Sequence, residues 1–176
     1  MFAFVGRLTD LVALDVAIEA LAILAERGLD ARLDVVGAGP ERERLEALAR
    51  SHRVDVNFLG EIYDEKSLGE LFLKARAVVS PGKVGLLAMH ALAYGTPVLT
   101  HGHFDEQMPE YEAITAGVTG GFFEKGNAKA LADLMEEWLD EPKRRAAVGP
   151  AIETIESFYT PTVQVHLINE FINELR

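Results

Sequence analysis

Short apolar runs alternate with amphipathic segments along this chain, and glycine or proline closes most of them. Runs over 2–5, 32–36, 55–60, 76–79 and 96–100 read as buried strands, with a weaker one over 120–123. Between them lie helical patterns. Asp10 caps the first, with Leu11, Leu14, Ile18, Leu21 and Leu24 on one stripe and Gly28 at its end. A second covers 41–50 behind Pro40 and buries Leu45 and Leu48. Asp64 caps a third, with Leu68, Leu71, Phe72 and Ala75 inward, and Asn127 caps one with Leu131, Leu134, Met135 and Trp138 on one face. Residues 140–142 break that helix, and helices over 143–158 and 161–175 end the chain. Strands and helices thus alternate about six times with short connections. That order predicts an α/β fold: a doubly wound, Rossmann-like parallel β-sheet of about six strands with helices on both faces.

The chain is organised around 78–99, which reads as strand, glycine-rich turn, helix, sharp stop and strand. The helix over 84–94 is almost wholly apolar and is expected to be buried all round. His90 interrupts it two turns in, Gly95 caps its end and Pro97 prevents continuation. A helix N-terminus offers unpaired N–H groups and partial positive charge, and a glycine turn in front lets an anion approach. Gly82, Lys83, Val84, Gly85 and Leu86 therefore form a candidate phosphate cradle. The glycine turns at Gly6-Arg7, at Gly37 and Gly39, and at Leu59-Gly60 fall at the same strand ends, where such sheets bind ligands.

Composition narrows the function. A chain of 176 residues with 49% hydrophobic content suits one domain with a full core. The absence of cysteine removes disulfides and thiolate metal sites. A net charge of −11 argues against a nucleic-acid partner. No run reaches membrane-span length and no charged leader opens the chain, so a cytoplasmic setting is expected. The abrupt start in a strand is expected of an excised domain. His101, His103 and Asp105 have the look of metal ligands, but no third histidine or helical pair supports them, so they are expected to be loop residues with no metal. Met108, Met135 and Trp138 are expected in the core. Val165, Ile168, Phe171, Ile172 and Leu175 stripe the last helix, and their apolar surface is expected to be exposed.

In the order Phe4-Val5-Gly6-Arg7-Leu8, Val35-Val36-Gly37-Ala38-Gly39-Pro40, Phe58-Leu59-Gly60, Ser80-Pro81, Gly85-Leu86, Ala91 through Val98, Pro109-Glu110 and Thr119-Gly120, the chain resembles the C-terminal half of GT-B glycosyltransferases of the group 1, family 4-like kind. The resemblance implies the donor-binding half of a retaining enzyme that transfers sugar from a nucleotide-diphosphate sugar without a metal or other cofactor. It also implies a separate N-terminal domain with most of the acceptor site. Products would be polysaccharides or glycolipids, with a membrane-associated acceptor and peripheral placement at the inner face of the membrane. It places the base and ribose near Gly37, Gly39, Leu59, Gly60 and Glu61, and the phosphates near Gly6, Arg7 and the 82–86 turn.

Three departures stand out. A Lys-Gly that the family carries after Gly-Arg-Leu is Val12-Ala13 here, and its two glutamates, eight apart, align with Gly82 and His90. On one reading His90 takes over a ribose or phosphate contact while Arg7 and Lys83 neutralise the diphosphate. On the other the chain is a non-catalytic nucleotide-binding or scaffold domain. A nucleotide-sugar epimerase would need a carboxylate–histidine pair facing the sugar, which the sequence alone does not assemble.

Overall fold

The computed structural model describes residues 1–174 of the chain. The six apolar runs become β1 (Phe2–Val5), β2 (Arg32–Val36), β3 (Asp55–Gly60), β4 (Val78–Ser80), β5 (Val98–His101) and β6 (Gly120–Phe123). They form one sheet in the order β3-β2-β1-β4-β5-β6, and every pairing is parallel. Successive strand residues face opposite sides of the sheet. Phe2, Phe4, Val79 and Leu99 therefore enter one core, and Ala3, Val78 and Val98 the other.

Helices α1 (Leu14–Glu26), α2 (Arg42–His52) and, later in the chain, Ala128–Glu137 cover the first core; α3 (Glu65–Lys74) and α4 (Leu86–Ala93) cover the second. Ala128–Glu137 is α5, followed by α6 (Glu141–Ala146), α7 (Val148–Phe158) and α8 (Pro161–Glu174). Met135 and Trp138 are fully buried in the first core, as their pattern predicts. Three helix-end signals act as the sequence predicts, while Asp10 caps no helix and lies inside a 3₁₀ turn, Asp10–Val12, that follows Thr9. Asp64 accepts from the Ser67 N–H at 2.9 Å, and Asn127 from the Ala130 N–H at 2.9 Å. Gly95 ends α4 at φ 68° and donates to the Leu92 carbonyl, while Thr96 donates to Ala91. This pair of bonds is the Schellman closure, which needs a left-handed residue.

Several boundaries differ from the sequence pattern. The first helical stretch is broken: a 3₁₀ turn at Asp10–Val12 ends at Ala13, which sits in the left-handed region at φ 47°, and α1 starts only at Leu14. The turn takes Leu11 off the helical stripe and leaves it 67% exposed. The break expected at 140–142 is present, since α5 ends at Glu137 and α6 starts at Glu141, but Pro142 is inside the new helix and not between the two. It lies in the first turn of α6, where its missing N–H costs nothing, and Asp140 caps that helix by accepting from the Lys143 N–H at 3.0 Å. The helix expected over 143–158 is accordingly two, α6 and α7. His101 belongs to β5 and is buried rather than part of the polar loop. Met108 is exposed, because the following 3₁₀ turn Pro109–Ala113 sends Ala113 rather than Met108 inward. On α8, Val165, Ile168, Phe171 and Ile172 are exposed, while Leu175 lies outside the described residues.

The second core has a polar tie that no local pattern announces. Arg144 is buried and has no carboxylate partner among the described residues. Its Nε donates to the Ala75 carbonyl at 2.9 Å and its Nη1 to the Gly95 carbonyl at 3.0 Å. One guanidinium thus closes the C-terminal ends of α3 and α4, where the helix dipoles are negative.

Candidate functional site

The chain leaves β1 toward one face of the sheet and β4 toward the other. β1 and β4 are neighbours, so a crevice opens at their carboxyl ends. Two stretches form its walls: the rim around Gly6-Arg7 and the turn leading into α4.

The rim is laced backbone to backbone. Gly6 donates to the Val36 carbonyl at 2.9 Å, Leu8 to Ala38 at 2.9 Å, and Gly37 to Gly60 at 2.7 Å. A Cβ on Gly37 would collide with the Gly6 carbonyl oxygen, and one on Gly39 with that of Leu8. These glycines are therefore first of all points of close chain contact. Above them lies a cavity of about 490 Å³, lined among others by Gly6, Arg7, Gly37, Gly39, Glu61 and Tyr63. Leu59 and Gly60 lie outside that lining; Leu59 is exposed on the edge strand.

The turn before α4 differs from the simple cradle. The helix starts at Leu86, so His90 is one turn in rather than two. Val84 is buried, and its N–H is bound by the Gln107 side-chain oxygen at 2.8 Å. The Gln107 amide donates in turn to Thr100 Oγ1 and the His101 carbonyl, each at 2.9 Å. Gln107 thus pins the turn to the end of β5, and the Val84 N–H is not open to an anion. Gly85 is the N-cap, and the N–H groups of Leu86 and Leu87 have no acceptor among the described residues. Leu86 is 75% exposed and α4 is open on that side, not buried all round. Gly82 is held against the 3₁₀ turn: its N–H donates to the Val12 carbonyl at 3.0 Å, and a Cβ there would strike the Leu11 carbonyl oxygen. Arg7 and Lys83 are exposed and make no ion pair among the described residues.

His90 faces α3. Its Nε2 lies 2.8 Å from Glu65 Oε1, its ring packs edge-on to Phe72 at 4.8 Å, and the Tyr94 hydroxyl donates to the same Glu65 oxygen at 2.7 Å. These two contacts hold the Glu65 carboxyl below the usual carboxylate range and push the Tyr94 phenol up. Sequence reasoning passed over Glu65, since a first-turn glutamate is ordinary and its partners are 25 and 29 residues away. It passed over Gln107 for the same reason of distance.

No group of three or more His, Asp or Glu side chains among the described residues could hold a metal ion. His101 Nδ1 accepts from the His103 N–H at 3.1 Å, and His103 Nδ1 lies 3.4 Å from Glu106. Glu110 has one carboxylate oxygen buried without a partner in its 3₁₀ turn. Burial, with the nearby Lys125 cation, pulls the His101 imidazole below its ordinary 6.5. The unfolded chain binds that proton more readily, so acidification through and below pH 6.5 favours unfolding. Urea midpoints between pH 7 and pH 5 should fall less in His101→Gln than in the parent; equal slopes would show that His101 contributes nothing.

Residues 1–154 match the family described as glycosyl transferases group 1. A GDP-mannose-dependent alpha-(1-6)-phosphatidylinositol dimannoside mannosyltransferase of Mycobacterium tuberculosis is 40% identical over 144 residues, 79% of this chain and 35% of that protein. The chain spans about a third of the length of the curated relatives it matches. Among solved structures, the C-terminal domain of a group 1 glycosyl transferase from Francisella tularensis superposes with a TM-score of 0.75 at 19% identity, over 91% of this chain and 86% of that one. HepE from Anabaena, solved in complex with UDP, gives a TM-score of 0.77 at 19% identity over 98% of this chain and 48% of that one. At those identities the likeness is one of fold, and it agrees with the six-stranded parallel sheet. No helix among the described residues is long and apolar enough to cross a membrane. By the match over 154 of its residues, this chain belongs to the glycosyl transferases group 1 family.

Proposed function

We propose that the chain is the donor-binding half of a retaining, metal-independent glycosyltransferase that takes its sugar from a nucleotide-diphosphate donor. One observation carries the reading. In a chain of net charge −11, Arg7 and Lys83 are exposed without a counter-ion among the described residues on the two stretches that wall the β1/β4 crevice, and Lys83 lies just ahead of the N–H groups of Leu86 and Leu87, which have no acceptor there. Cations, amides and a helix dipole on the walls of one crevice suit a diphosphate. When the sugar–phosphate bond breaks, the diphosphate gains charge, and these fixed groups stabilise it without reorganisation. The base then lies over the Gly37–Gly39 rim. The acceptor is bound by a part of the protein outside this chain, so the isolated chain binds nucleotide but transfers little sugar. Relatives named for phosphatidylinositol mannosides support glycolipid synthesis and a membrane-associated acceptor.

Thermal unfolding with GDP, UDP, ADP and TDP, each with magnesium or EDTA, tests this. A ligand that binds only the folded chain raises the midpoint. One diphosphate should do so, equally in EDTA, with GDP first in line from the name of the mycobacterial relative. Arg7→Ala and Lys83→Ala should each weaken it about tenfold or more, as one lost charge-assisted contact of roughly 1.5 kcal/mol requires. No shift at millimolar concentration with any of the four would overturn the reading.

A second reading has its own support. Gly82 and Val12 stand where the family resemblance expects a glutamate and a lysine, and their backbones are packed on each other. This is what a nucleotide-binding domain without catalysis would show. Nucleotide binding together with no sugar transfer by the longer protein would decide for it.

A further inference from the structure

We infer that Glu65, held by His90 and Tyr94, reads the ribose diol of the bound nucleotide. The inference rests on the donor-site reading above and adds a specificity residue to it.

Glu65 opens α3 directly after the segment whose Glu61 and Tyr63 line the first cavity. It reaches across to α4 and places Oε1 2.8 Å from His90 Nε2 and 2.7 Å from the Tyr94 hydroxyl. An ionised carboxylate only accepts hydrogen bonds, so both partners donate, and His90 carries a proton on Nε2. Oε2 has no partner among the described residues, and the side chain remains 64% exposed. An exposed ion pair contributes little stability, and a lone surface glutamate keeps its rotamer freedom. Here the carboxylate is ordered by two donors and by a histidine ring packed on Phe72, yet one oxygen is left open. Ordering a group in advance while leaving it unsatisfied favours a ligand.

The place fits a ribose. His90 lines a second cavity of about 460 Å³ together with Val5, Leu86, Leu87 and Met89. Val5 also lines the first cavity, so the two meet there. A nucleoside diphosphate with its base over the rim and its phosphates at the start of α4 must carry its ribose past Val5. His90 lies four residues along α4 from Leu86, about 6 Å at the helical rise and on the same face. Two adjacent hydroxyls donate to a carboxylate in a way that a deoxyribose cannot. A hydrogen bond to a charged acceptor contributes roughly 1.5–3 kcal/mol, which is about tenfold or more in affinity.

Calorimetric titration of the chain with the diphosphate chosen by the unfolding panel, and with its 2′-deoxy and 3′-deoxy forms, tests the inference. The parent should prefer the ribose form about tenfold over either deoxy form. Glu65→Gln should lose most of that preference, whereas Arg7→Ala should weaken all three ligands together and keep it. Glutamine retains an acceptor for His90 and Tyr94, so the join of α3 to α4 persists, and the unfolding midpoint monitors it. If Glu65→Gln fails to fold, Glu65→Asp keeps the charge, shortens the reach and should lose the preference in the same way. Equal binding of ribose and deoxy forms by the parent, or a preference intact in Glu65→Gln, overturns this inference alone. Absence of any nucleotide binding overturns the donor reading and this one with it.

Discussion

Arg144→Met is expected to destabilise the fold by about 3 kcal/mol, because it strips two buried carbonyls of their only charged donor at roughly 1–3 kcal/mol each. The carbonyls are those of Ala75 and Gly95, at the ends of α3 and α4, and the methionine fills the volume without replacing either bond. For a chain of this size the loss corresponds to a fall in unfolding midpoint of roughly 6–12 °C. Burial, with Arg76 nearby, already pulls the guanidinium below its ordinary pKa, so its charge is held at a cost that the carbonyls offset. Arg144→Lys keeps a charge but cannot fork to two helix ends, and should fall between parent and methionine. A methionine variant within 1 kcal/mol of the parent in urea unfolding would show that water or relaxation satisfies the carbonyls.

The second large effect concerns Gly82. Gly82→Ala is expected to destabilise by roughly 2–3 kcal/mol, at the upper end of the cost of overpacking, because its new methyl meets backbone rather than a mobile side chain. The atoms in the way are the Leu11 carbonyl and the Val12 backbone, tied to Gly82 by the bond from its N–H. Gly82→Glu should cost about the same as Gly82→Ala, since the collision is at Cβ. Restoring the carboxylate that the family resemblance expects there should therefore give a weaker fold and no gain in function. An alanine variant as stable as the parent would mean that the 3₁₀ turn lifts freely.

The sheet was legible because its signals are local. Most strands are short apolar runs with a glycine at or just past the end, most helices have their stripe, and Asp64, Asn127 and Gly95 terminate their helices through groups three residues away. Short connections then left few topologies, and the strand order is the common one for this alternation. The first helix misled for a physical reason: Ala13 carries no sign that it will adopt a left-handed backbone, so Leu11 counted as part of a stripe it does not join. Pro142 marked the break after α5 but hid that α6 starts at Glu141, because a proline reads equally as a stop or as a first turn.

For the candidate site, the sequence showed which residues share a sheet edge and not what they touch. Arg7, Lys83, the glycine rim and His90 all come to the carboxyl ends of β1 through β4. What the sequence hid are pairs far apart in it: Gln107 with Val84, Glu65 with His90 and Tyr94, Arg144 with Ala75 and Gly95. A hydrogen bond across the fold leaves no periodicity to read. It also took the structure to show that the rim glycines serve close chain contact before they serve any ligand.

The placement of β1 sets the order in which the molecule can assemble. The first strand in sequence is an inner strand of the sheet, with β2 on one side and β4 on the other. Its β2 edge can pair once Leu33 to Val36 have formed, but its other edge must wait for Val78, the partner of Ala3. Closing so long a loop before any reward in contacts slows folding and leaves a bare apolar edge on the growing chain. On the ribosome, the β1–β2–β3 half is therefore the part that needs protection until β4 emerges. Any change that weakens β4 should be felt first as poor yield, before it is felt as a lower melting point.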